Sequence, residues 1–387
     1  MSNDLIVHLI YRLDIGGMEN LLVERINRMP AGAYRHAVVT LAGHTDFARK
    51  ISKPGVEIHT LGKQAGLSPR THADLFKLLR RLRPAILHTY NLAGIEYAPA
   101  ALLAGVPVRV NGLHGRDGAD PEGRNWKHKL LRRLMLPFYD CCYANSRDME
   151  AWNRAVIGVP GHKSCLLNNG IDAERFRPLA QGEQRLEFGF GPACKVIGTV
   201  GRVQDVKDHA ALVDAFALLR ALLPDMPLRL AIVGDGPLLA PLRDKVRALG
   251  LAGLVWMPGA RADIPDVMRG LDVYAISSIA EGTPGSVLEA MASGLPVVGT
   301  RVGGVPDVID DGATGQLVPP RDPQAMAEAL ARYLRSPGLA AAHGMAGRAR
   351  VLSHYSMTAM VASYQALYDR LLERKTSFRK SIKSCVE

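Results

Sequence analysis

Two glutamates in a glycine- and proline-rich stretch are the residues of this sequence best placed to do chemistry. Glu281 and Glu289 stand eight positions apart. Gly282, Pro284 and Gly285 lie between them and break any helix, which predicts Glu281 in a turn and Glu289 about one turn inside a short helix. If the whole segment were helical, the two carboxylates would lie roughly 12 Å apart. That spacing suits the two ends of an extended anionic ligand and excludes a pair that shares one proton.

The start of this short helix, predicted near Ser286, is a candidate anion site. The N–H groups of Gly285, Ser286 and Val287 lack acceptors within the helix, and the positive end of the helix dipole lies there. Together with the two glutamates, they predict a site for an extended anionic ligand.

Arg202 and Lys207 are the cations predicted to belong to the same site. Both follow the apolar run Val196–Val200, which is predicted to be a strand. A guanidinium and an ammonium suit a diphosphate that leaves with growing negative charge. The alternative is a pair of surface cations beside a helix start, paired locally with Asp205 and Asp208.

Three further turns at predicted strand ends carry candidate residues. Gly17 opens the first predicted helix, where paired glycines let the backbone approach a phosphate or sugar. Arg261 could form a nucleobase pocket with its aliphatic stem, although an ordinary turn is the alternative there. His114 lies in a glycine-rich loop after a strand, which favours an exposed functional histidine over the usual core one, whereas His88 lies within a strand and is predicted to be structural.

Short apolar runs alternate with helical patterns along almost the whole chain, which predicts parallel sheets covered by helices. The pattern restarts after the stretch at 178–192. The fold class is therefore α/β, with two doubly wound Rossmann-like domains facing across a cleft. The predicted parts are a first domain at 1–180, a second at 190–355, a C-terminal helix at 356–375 that could cross back to the first domain, and a basic tail at 376–387.

Composition narrows the function classes. The chain has 387 residues, of which 48% are hydrophobic and 22% charged, as expected for a globular protein of two domains. Five cysteines without a Cys-x-x-Cys motif argue against a disulfide framework or zinc site and favour the cytoplasm. No segment reads as a secretory signal or a membrane span. The net charge of +11 implies an anionic partner, but no nucleic-acid-binding module is present.

Residues 124–136 form a basic amphipathic pattern that admits two interpretations. Trp126, Leu130, Leu131 and Leu134 fall on one helical face, and lysines and arginines surround them. Such a helix can lie on an anionic membrane, or it can pack its apolar stripe against the sheet and leave the cations in solvent. The basic stretch from residue 374 is likewise either a disordered tail or a membrane contact.

These motifs, in this order, resemble a family 4 glycosyltransferase with the GT-B architecture. The resemblance covers nearly the whole chain. It is carried most specifically by Glu281…Glu289-Ala-Met-Ala and its continuation to Asp307, and it is supported by the Gly17 loop, the His114 loop and Gly-Arg202…Lys207.

The resemblance implies retaining transfer of a sugar from a nucleoside diphosphate sugar, without an obligate metal. By similarity, Arg202 and Lys207 hold the diphosphate, and Glu281 contacts the donor sugar. Glu289 would reach the ribose, and His114 would stand near the reacting centre with Gly17 beside phosphate or acceptor. The amides from Gly285 to Val287 would hold the distal phosphate.

Subgroups with this pattern serve exopolysaccharide or lipid-linked glycan assembly, which implies a glycan or polyprenyl-diphosphate acceptor at the inner face of the membrane. Many relatives carry an aromatic residue after Glu-Gly, where this chain has Thr283 and Pro284, and this difference changes the sugar pocket. The alternative enzyme class is a sugar-nucleotide epimerase with the same two-domain layout. The sequence does not name the base, the sugar or the acceptor.

Overall fold

The computed structural model describes residues 4–14, 16–64, 66, 68–115, 120 and 123–386, with side chains up to residue 377. The chain divides into two compact units. The first contains Met1–Gly170 and Met357–Glu387, and the second contains Ile171–Ser356. Each unit is built on its own parallel sheet, so the predicted α/β class with two doubly wound domains is confirmed.

The first unit alternates strands with helices. Its strands are β1 (Leu5–Ile10), β2 (Arg35–Thr40), β3 (Glu57–Thr60), β4 (Ile86–Tyr90), β5 (Val108–Leu113), β6 (Cys141–Ala144) and β7 (Ser164–Leu166). Its helices are α1 (Gly17–Arg28), α2 (Pro69–Leu82), α3 (Ala98–Leu103), α4 (Trp126–Met135) and α5 (Arg147–Trp152). Short 3-10 helices lie at Asp46–Lys50, Ile95–Tyr97, Leu136–Phe138 and Gly161–Lys163, and a π-helical turn lies at Asn153–Ile157.

The first sheet has the strand order β3-β2-β1-β4-β5-β6-β7, with neighbouring strands parallel. The order reverses between β1 and β4, where helices leave the sheet in opposite directions and open a crevice at the strand carboxyl ends. Buried aliphatic side chains from α1 and α2 cover the two faces of the sheet. Residues that follow β1 and β4 therefore stand at the edge where an open α/β sheet binds ligands.

The second unit repeats this pattern. Its strands are β8 (Lys195–Val200), β9 (Leu228–Val233), β10 (Val255–Gly259), β11 (Val273–Ile276), β12 (Val297–Thr300) and β13 (Gln316–Val318). Its helices are α6 (His209–Leu222), α7 (Leu239–Ala248), α8 (Ile264–Arg269), α9 (Gly285–Ala292), α10 (Val305–Val308), α11 (Pro323–Arg335) and α12 (Pro337–His354). Short 3-10 helices lie at Asp205–Lys207 and Ala252–Leu254.

The second sheet has the strand order β10-β9-β8-β11-β12-β13, again parallel, and its order reverses between β8 and β11. The two elements that meet at this reversal are the strand before Arg202 and the strand before Glu281. Sequence order hides their proximity, because β9 and β10 separate them along the chain.

The last helix, α13 (Met357–Val386), belongs to the first unit and packs on α1 and β5. Its buried Tyr364, Leu367 and Tyr368 join the core around β5 and β6. The backbone is helical through Val386, which differs from the disordered tail that the composition favoured. Most side chains of the predicted basic tail lie outside the described residues.

One boundary differs from the expectation, and two strands were not expected. The chain changes unit after Gly170, before the stretch at 178–192, because Phe176 and Phe188 already lie in the core of the second unit. The strands β7 and β13 were not predicted. Each has three residues, too few to show an apolar period against the surrounding loops.

Helix α4 corrects the expectation for the basic amphipathic segment. Trp126, Leu130 and Leu134 are 64%, 45% and 57% exposed, so most of the apolar stripe faces solvent. Leu131 alone of the stripe packs against the neighbouring core, and Arg132 is buried among the residues around it. The arrangement with the stripe against the sheet and the cations outside is therefore wrong for this helix.

Helix α12 lies against α9, and one glycine permits the contact. A Cβ atom at Gly344 would stand 2.1 Å from the backbone oxygen of Gly294, a separation that non-bonded atoms do not adopt. The close approach places α9, and with it the segment that carries Glu289, against the rest of the unit.

We expect Gly344→Ala to lower the free energy of unfolding by about 1–3 kcal/mol, because the new methyl group must push α12 off α9. The matched control is Gly338→Ala in the same helix, where a Cβ atom meets nothing within 4 Å. That variant should be neutral or slightly stabilising. Urea unfolding followed by circular dichroism measures both, and equal effects of the two substitutions would contradict the assignment.

Candidate functional site

The reversal of strand order between β8 and β11 brings together the charged residues that the sequence singled out in the second unit. Arg202 and Lys207 follow β8, and Glu281 follows β11. Open parallel sheets bind ligands at this kind of crevice, beyond the carboxyl ends of the strands.

Lys207 and Glu281 form the central contact of the site. The Lys207 ammonium donates to Glu281 Oε1 at 2.5 Å, and the Ser278 hydroxyl donates to the same oxygen at 2.6 Å. The Glu281 side chain is 9% exposed, so the carboxylate is held by two donors in a largely dry position. The sequence placed these residues in one site, but it did not predict that they contact each other.

Backbone contacts fix both loops of this pair. Ser277 Oγ donates to the Lys207 carbonyl oxygen at 2.9 Å, and the Ile279 N–H donates to the Val206 carbonyl oxygen at 2.9 Å. Gly303 lies directly behind Glu281. A Cβ atom there would stand 1.8 Å from the Glu281 carbonyl oxygen, and its φ of +49° is left-handed. The loop at 278–281 can therefore adopt this position only beside a glycine.

The Gly-Asp-Gly turn after β9 supports the loop that carries Arg202. The Val203 N–H donates to the Asp235 carbonyl oxygen at 2.9 Å. Cβ atoms at Gly234 and Gly236 would stand 1.9 and 2.3 Å from the carbonyl oxygens of Gly201 and Val203. This turn is thus a packing partner of the Arg202 loop.

The two arginines predicted to bind the nucleotide sugar differ in their surroundings. Arg202 is exposed, and no ion pair or hydrogen bond of its side chain is found among the described residues. Arg261 instead forms a bidentate pair with Asp263, and its guanidinium carbon lies 5.3 Å from the ring centroid of Trp256. Arg202 is the guanidinium available to an anion, whereas Arg261 is engaged by its neighbour.

Helix α9 begins at Gly285, one residue earlier than expected, with Pro284 at the N-cap and no side-chain cap. Within the residues described, no backbone acceptor is found for the N–H groups of Gly285 and Ser286. Val287 corrects the expectation, because its N–H already donates to the Pro284 carbonyl oxygen at 3.1 Å. The Ser286 side chain interacts with the buried Tyr274 of β11, whose hydroxyl donates to the Val200 carbonyl oxygen.

Glu289 lies inside α9 in a mostly apolar environment. Burial raises the pKa of its carboxyl to about 7, and the charge of Arg175 offsets part of the shift. The carboxylate is therefore only partly ionised near neutral pH. Its state would respond to ligand hydroxyl groups that donate to it.

In the first unit, Gly17 begins α1 immediately after the β1 loop. A Cβ atom at Gly17 would meet nothing within 4 Å, so its backbone borders open space, whereas Gly16 is crowded by the carboxylate of Glu19. The residue before them, Ile15, lies outside the described residues.

His114 follows β5 as expected, but its ring is directed into the unit. Nε2 lies 2.7 Å from the Tyr143 hydroxyl, and Nδ1 is buried without a hydrogen-bond partner in the described part of the chain. Burial, with a smaller effect of Arg25, lowers the pKa of the ring to about 3. The exposed imidazole that we expected is thus replaced by a neutral, mostly enclosed one. Residues 116–119 of its loop lie outside the described residues.

A buried polar cluster behind His114 was missed by sequence reasoning. His88 is fully buried and lies between the hydroxyls of Tyr143 and Tyr368, and His8 stands beside it in register on β1. A signal was present, because His8 interrupts an otherwise apolar strand and His88 follows two apolar residues in another strand. A pattern of that kind does not show that the two side chains meet.

In the described residues, no group of three or more histidine, cysteine, aspartate or glutamate side chains is arranged to hold a metal ion. Of the helices described, none has the length and apolar character needed to cross a membrane.

Comparisons with known proteins identify the family. Residues 15–175 match the family described as "Glycosyltransferase Family 4", and residues 194–336 match "Glycosyl transferases group 1". The chain is 30% identical over 284 residues to the lipopolysaccharide core biosynthesis mannosyltransferase LpsB of Rhizobium meliloti, covering 72% of this chain and 78% of that protein. The chain is a family 4 glycosyltransferase.

Two further comparisons bear on this glycosyltransferase. It is 29% identical over 270 residues to an Escherichia coli UDP-Gal:alpha-D-GlcNAc-diphosphoundecaprenol alpha-1,3-galactosyltransferase, covering 67% of this chain and 68% of that one. The crystal structure of Anabaena Alr3699/HepE in complex with UDP matches with a TM-score of 0.79 at 20% identity, covering 94% and 99% of the two chains. This likeness shows the GT-B fold, and neither relative supports the epimerase alternative.

We expect Glu289→Gln to change how the stability of the glycosyltransferase depends on pH. The folded protein binds a proton at Glu289 up to about pH 7, whereas the unfolded chain releases it near 4.5. Between these values the folded state holds more protons, so the wild type loses stability as the pH rises, by roughly 3 kcal/mol at most.

The neutral amide of the Glu289→Gln variant does not titrate, so this variant should not show that loss of stability as the pH rises. Urea unfolding of both proteins at pH 5 and pH 8 checks the prediction. A wild-type loss between the two pH values no larger than that of Glu289→Gln would contradict the raised pKa.

Proposed function

We propose that this glycosyltransferase moves a sugar from a nucleoside diphosphate sugar to a glycan or polyprenyl-diphosphate-linked acceptor, with retention of the anomeric configuration. The observation that carries the proposal is the Lys207–Glu281 pair at the β8/β11 reversal, beside the open guanidinium of Arg202. An ammonium, a guanidinium and the amides of Gly285 and Ser286 at the start of α9 provide for a diphosphate. Glu281 provides for the hydroxyl groups and developing positive charge of a sugar.

Lys207 can bind Glu281 and a phosphate oxygen at the same time. An ammonium has three N–H donors, so Lys207 can keep one on Glu281 Oε1 and give another to a phosphate oxygen. Arg202 adds a planar fork that suits a second phosphate oxygen. The positive charges of Lys207 and Arg202 can neutralise the negative charge of the leaving diphosphate. We therefore propose that the reaction needs no obligate metal.

The contacts of Glu281 favour an orienting role over a nucleophilic one. Both Lys207 and Ser278 donate to Oε1, which lowers the availability of its lone pairs for attack on a sugar carbon. In the proposed reaction the bond from the anomeric carbon to the diphosphate oxygen breaks while the bond to the acceptor oxygen forms on the same face. The acceptor proton passes to the departing phosphate oxygen. Glu281 orients the sugar and stabilises its positive charge.

The comparisons support the substrate classes. A structural neighbour binds UDP, and a relative acts on a diphosphoundecaprenol-linked sugar. We infer a donor of the nucleoside diphosphate sugar class, with Glu289 accepting from the ribose hydroxyls, and a role in polysaccharide or lipid-linked glycan synthesis. The base and sugar are left open, because Thr283 and Pro284 alter the position where many relatives carry an aromatic residue.

We expect Arg202→Ala to lower kcat/KM for transfer about 100-fold, since it removes charged donors from the leaving group. Arg220→Ala is the control, because Arg220 is an exposed arginine on α6 in the same unit. Transfer to a lipid-linked acceptor, followed by chromatography of the released nucleotide, measures both. Unchanged rates in Arg202→Ala would refute the diphosphate assignment.

The anomeric outcome has its own test. Proton NMR of the product should show the same anomeric configuration as the donor, because the proposed reaction proceeds on one face of the sugar. A parallel incubation of the nucleotide sugar without acceptor should yield no epimer. Inversion in the product would rule out the retaining mechanism, and an epimer formed without acceptor would point to the alternative enzyme class.

We also propose that the enzyme works at the cytoplasmic face of a membrane, held there by α4. Trp126, Leu130 and Leu134 are exposed along one side of this helix, and the exposed cations Lys127 and Arg133 flank them. Aromatic and aliphatic side chains beside lysines and arginines suit the boundary of an anionic bilayer. Such a position would bring the first unit to a lipid-linked acceptor.

We expect wild-type protein to float with vesicles of 30% phosphatidylglycerol, and a triple variant, Trp126→Ser, Leu130→Ser and Leu134→Ser, to lose most of this binding. The control is Met345→Ser with Leu352→Ser, which removes two exposed apolar residues from the second unit. Equal flotation of the triple variant and the control would contradict a role of α4.

A further inference from the structure

A continuous chain of side-chain hydrogen bonds runs through the interior of the first unit and ends on His114. The Tyr143 hydroxyl lies 2.7 Å from His114 Nε2 and 3.0 Å from His88 Nε2. His88 Nδ1 lies 2.7 Å from the Tyr368 hydroxyl of α13. His88, Tyr143 and Tyr368 are all fully buried. His114, which follows the carboxyl end of β5, is thus connected to the C-terminal helix through buried groups that exclude water.

Arg25 of α1 supplies a permanent charge beside this chain. It is 1% exposed, donates to the Tyr90 hydroxyl, and its guanidinium carbon lies 3.9 Å from the ring centroid of Tyr364. A guanidinium has donors only, so the Tyr90 oxygen must accept from it. The Tyr90 hydrogen therefore points away from Arg25. Its nearest acceptors are His8 Nδ1, at 2.9 Å, and His88 Nδ1, at 3.2 Å.

The contacts of His88 determine the remaining hydrogens. In the described residues the Tyr368 hydroxyl has one neighbour to donate to, His88 Nδ1, which also lies 3.2 Å from the Tyr90 hydroxyl. A neutral imidazole that accepts at Nδ1 carries its hydrogen on Nε2, so His88 donates to the Tyr143 oxygen. Because that oxygen accepts from His88, its own hydrogen is directed to His114 Nε2. His114 is left with its hydrogen on Nδ1.

The charge state of His114 agrees with this assignment. Its ring faces Tyr90, Tyr143 and, at longer range, the charge of Arg25, and burial lowers its pKa to about 3. A neutral ring with its hydrogen on Nδ1 has one free donor. That atom is the one found buried without a partner in the described residues. A buried donor without an acceptor is unfavourable, so an oxygen that reaches it gains a favoured contact.

We propose that Tyr143, His88 and Tyr368 are positioning residues that hold His114 as the neutral Nδ1–H tautomer, which donates to an oxygen of the donor sugar or acceptor. The inference rests on the proposed function and on the family resemblance, which implies that His114 stands near the reacting centre. His114 then contributes a fixed hydrogen bond, and its ring neither takes nor gives a proton during transfer. The acceptor proton leaves with the diphosphate.

The tautomer can be read directly in the protein without substrate. Long-range proton–nitrogen NMR of 15N-histidine-labelled enzyme at pH 7.5 distinguishes a protonated from an unprotonated ring nitrogen. The signals of His114 are those lost in His114→Gln, among the 12 histidines of the chain. We expect Nδ1 to be protonated and Nε2 to be unprotonated. A hydrogen on Nε2, or a doubly protonated ring, would overturn the inference.

The variants Tyr143→Phe and Tyr368→Phe test the positioning role. Removing the Tyr143 hydroxyl should convert His114 to a mixture of tautomers and lower kcat/KM about tenfold, the loss typical of one misplaced hydrogen bond. Tyr368→Phe should also lower kcat/KM, but by a smaller factor, because the Tyr368 hydroxyl contacts His88 and influences His114 only through Tyr143. Tyr139→Phe is the control, because the buried Tyr139 hydroxyl is hydrogen-bonded to Thr89 and Ile95, which do not belong to the hydrogen-bond chain that ends on His114.

Different results would contradict the positioning role and the proposed function. An active enzyme whose His114 spectrum is the same in wild type and Tyr143→Phe would overturn the positioning role alone. A wild type that shows the Nδ1–H tautomer but transfers no sugar would overturn the proposed function, and the ligand contact with it. Thermal unfolding of each variant beside Tyr139→Phe identifies any loss of rate that comes from loss of fold.

Discussion

The contact between Lys207 and Glu281 is the interaction on which the site of this glycosyltransferase depends. It spans the reversal between β8 and β11, where one loop leaves each strand toward a different face of the sheet. Bare glycine backbones at Gly234 and Gly303 allow these loops to approach as closely as they do. The largely dry surroundings of the Glu281 carboxylate strengthen its attraction to the ammonium, and they strengthen equally the attraction between that ammonium and an incoming phosphate.

The sequence was sufficient for the architecture and for the charged residues of the second unit. Apolar runs of parallel strands are distinctive, and residues just after such runs must lie at one edge of a sheet, which is how Arg202, Lys207 and Glu281 were found. Their direct contact was not predictable, because strand order is decided by packing. The exposure of Trp126 was not predictable either, since an amphipathic pattern does not say which partner covers its apolar face.

The two units use the same strand order for different chemistry. The second unit presents cations and helix-start amides at its strand ends, with the largely buried carboxyl groups of Glu281 and Glu289 beside them. The first unit encloses a cation, Arg25, among tyrosines and neutral histidines, and its candidate residues among those described are a backbone glycine and one histidine. The sequence predicted the site in the second unit better than the polar network in the first. Loop residues can be located from their position after a strand, whereas a buried polar network depends on contacts between strands that are distant in sequence.

The four enclosed imidazoles also give the first unit a weakness toward acid. Burial lowers the pKa of His8 and His88 well below the usual value, and it lowers the pKa of His36 and His114 to about 3. In the unfolded chain each of these rings takes up a proton below about pH 6.5. Unfolding therefore gains up to four protons in mild acid, and the stability of this unit falls by about 5 kcal/mol per pH unit below pH 6. The first unit therefore keeps its full stability only near and above neutral pH.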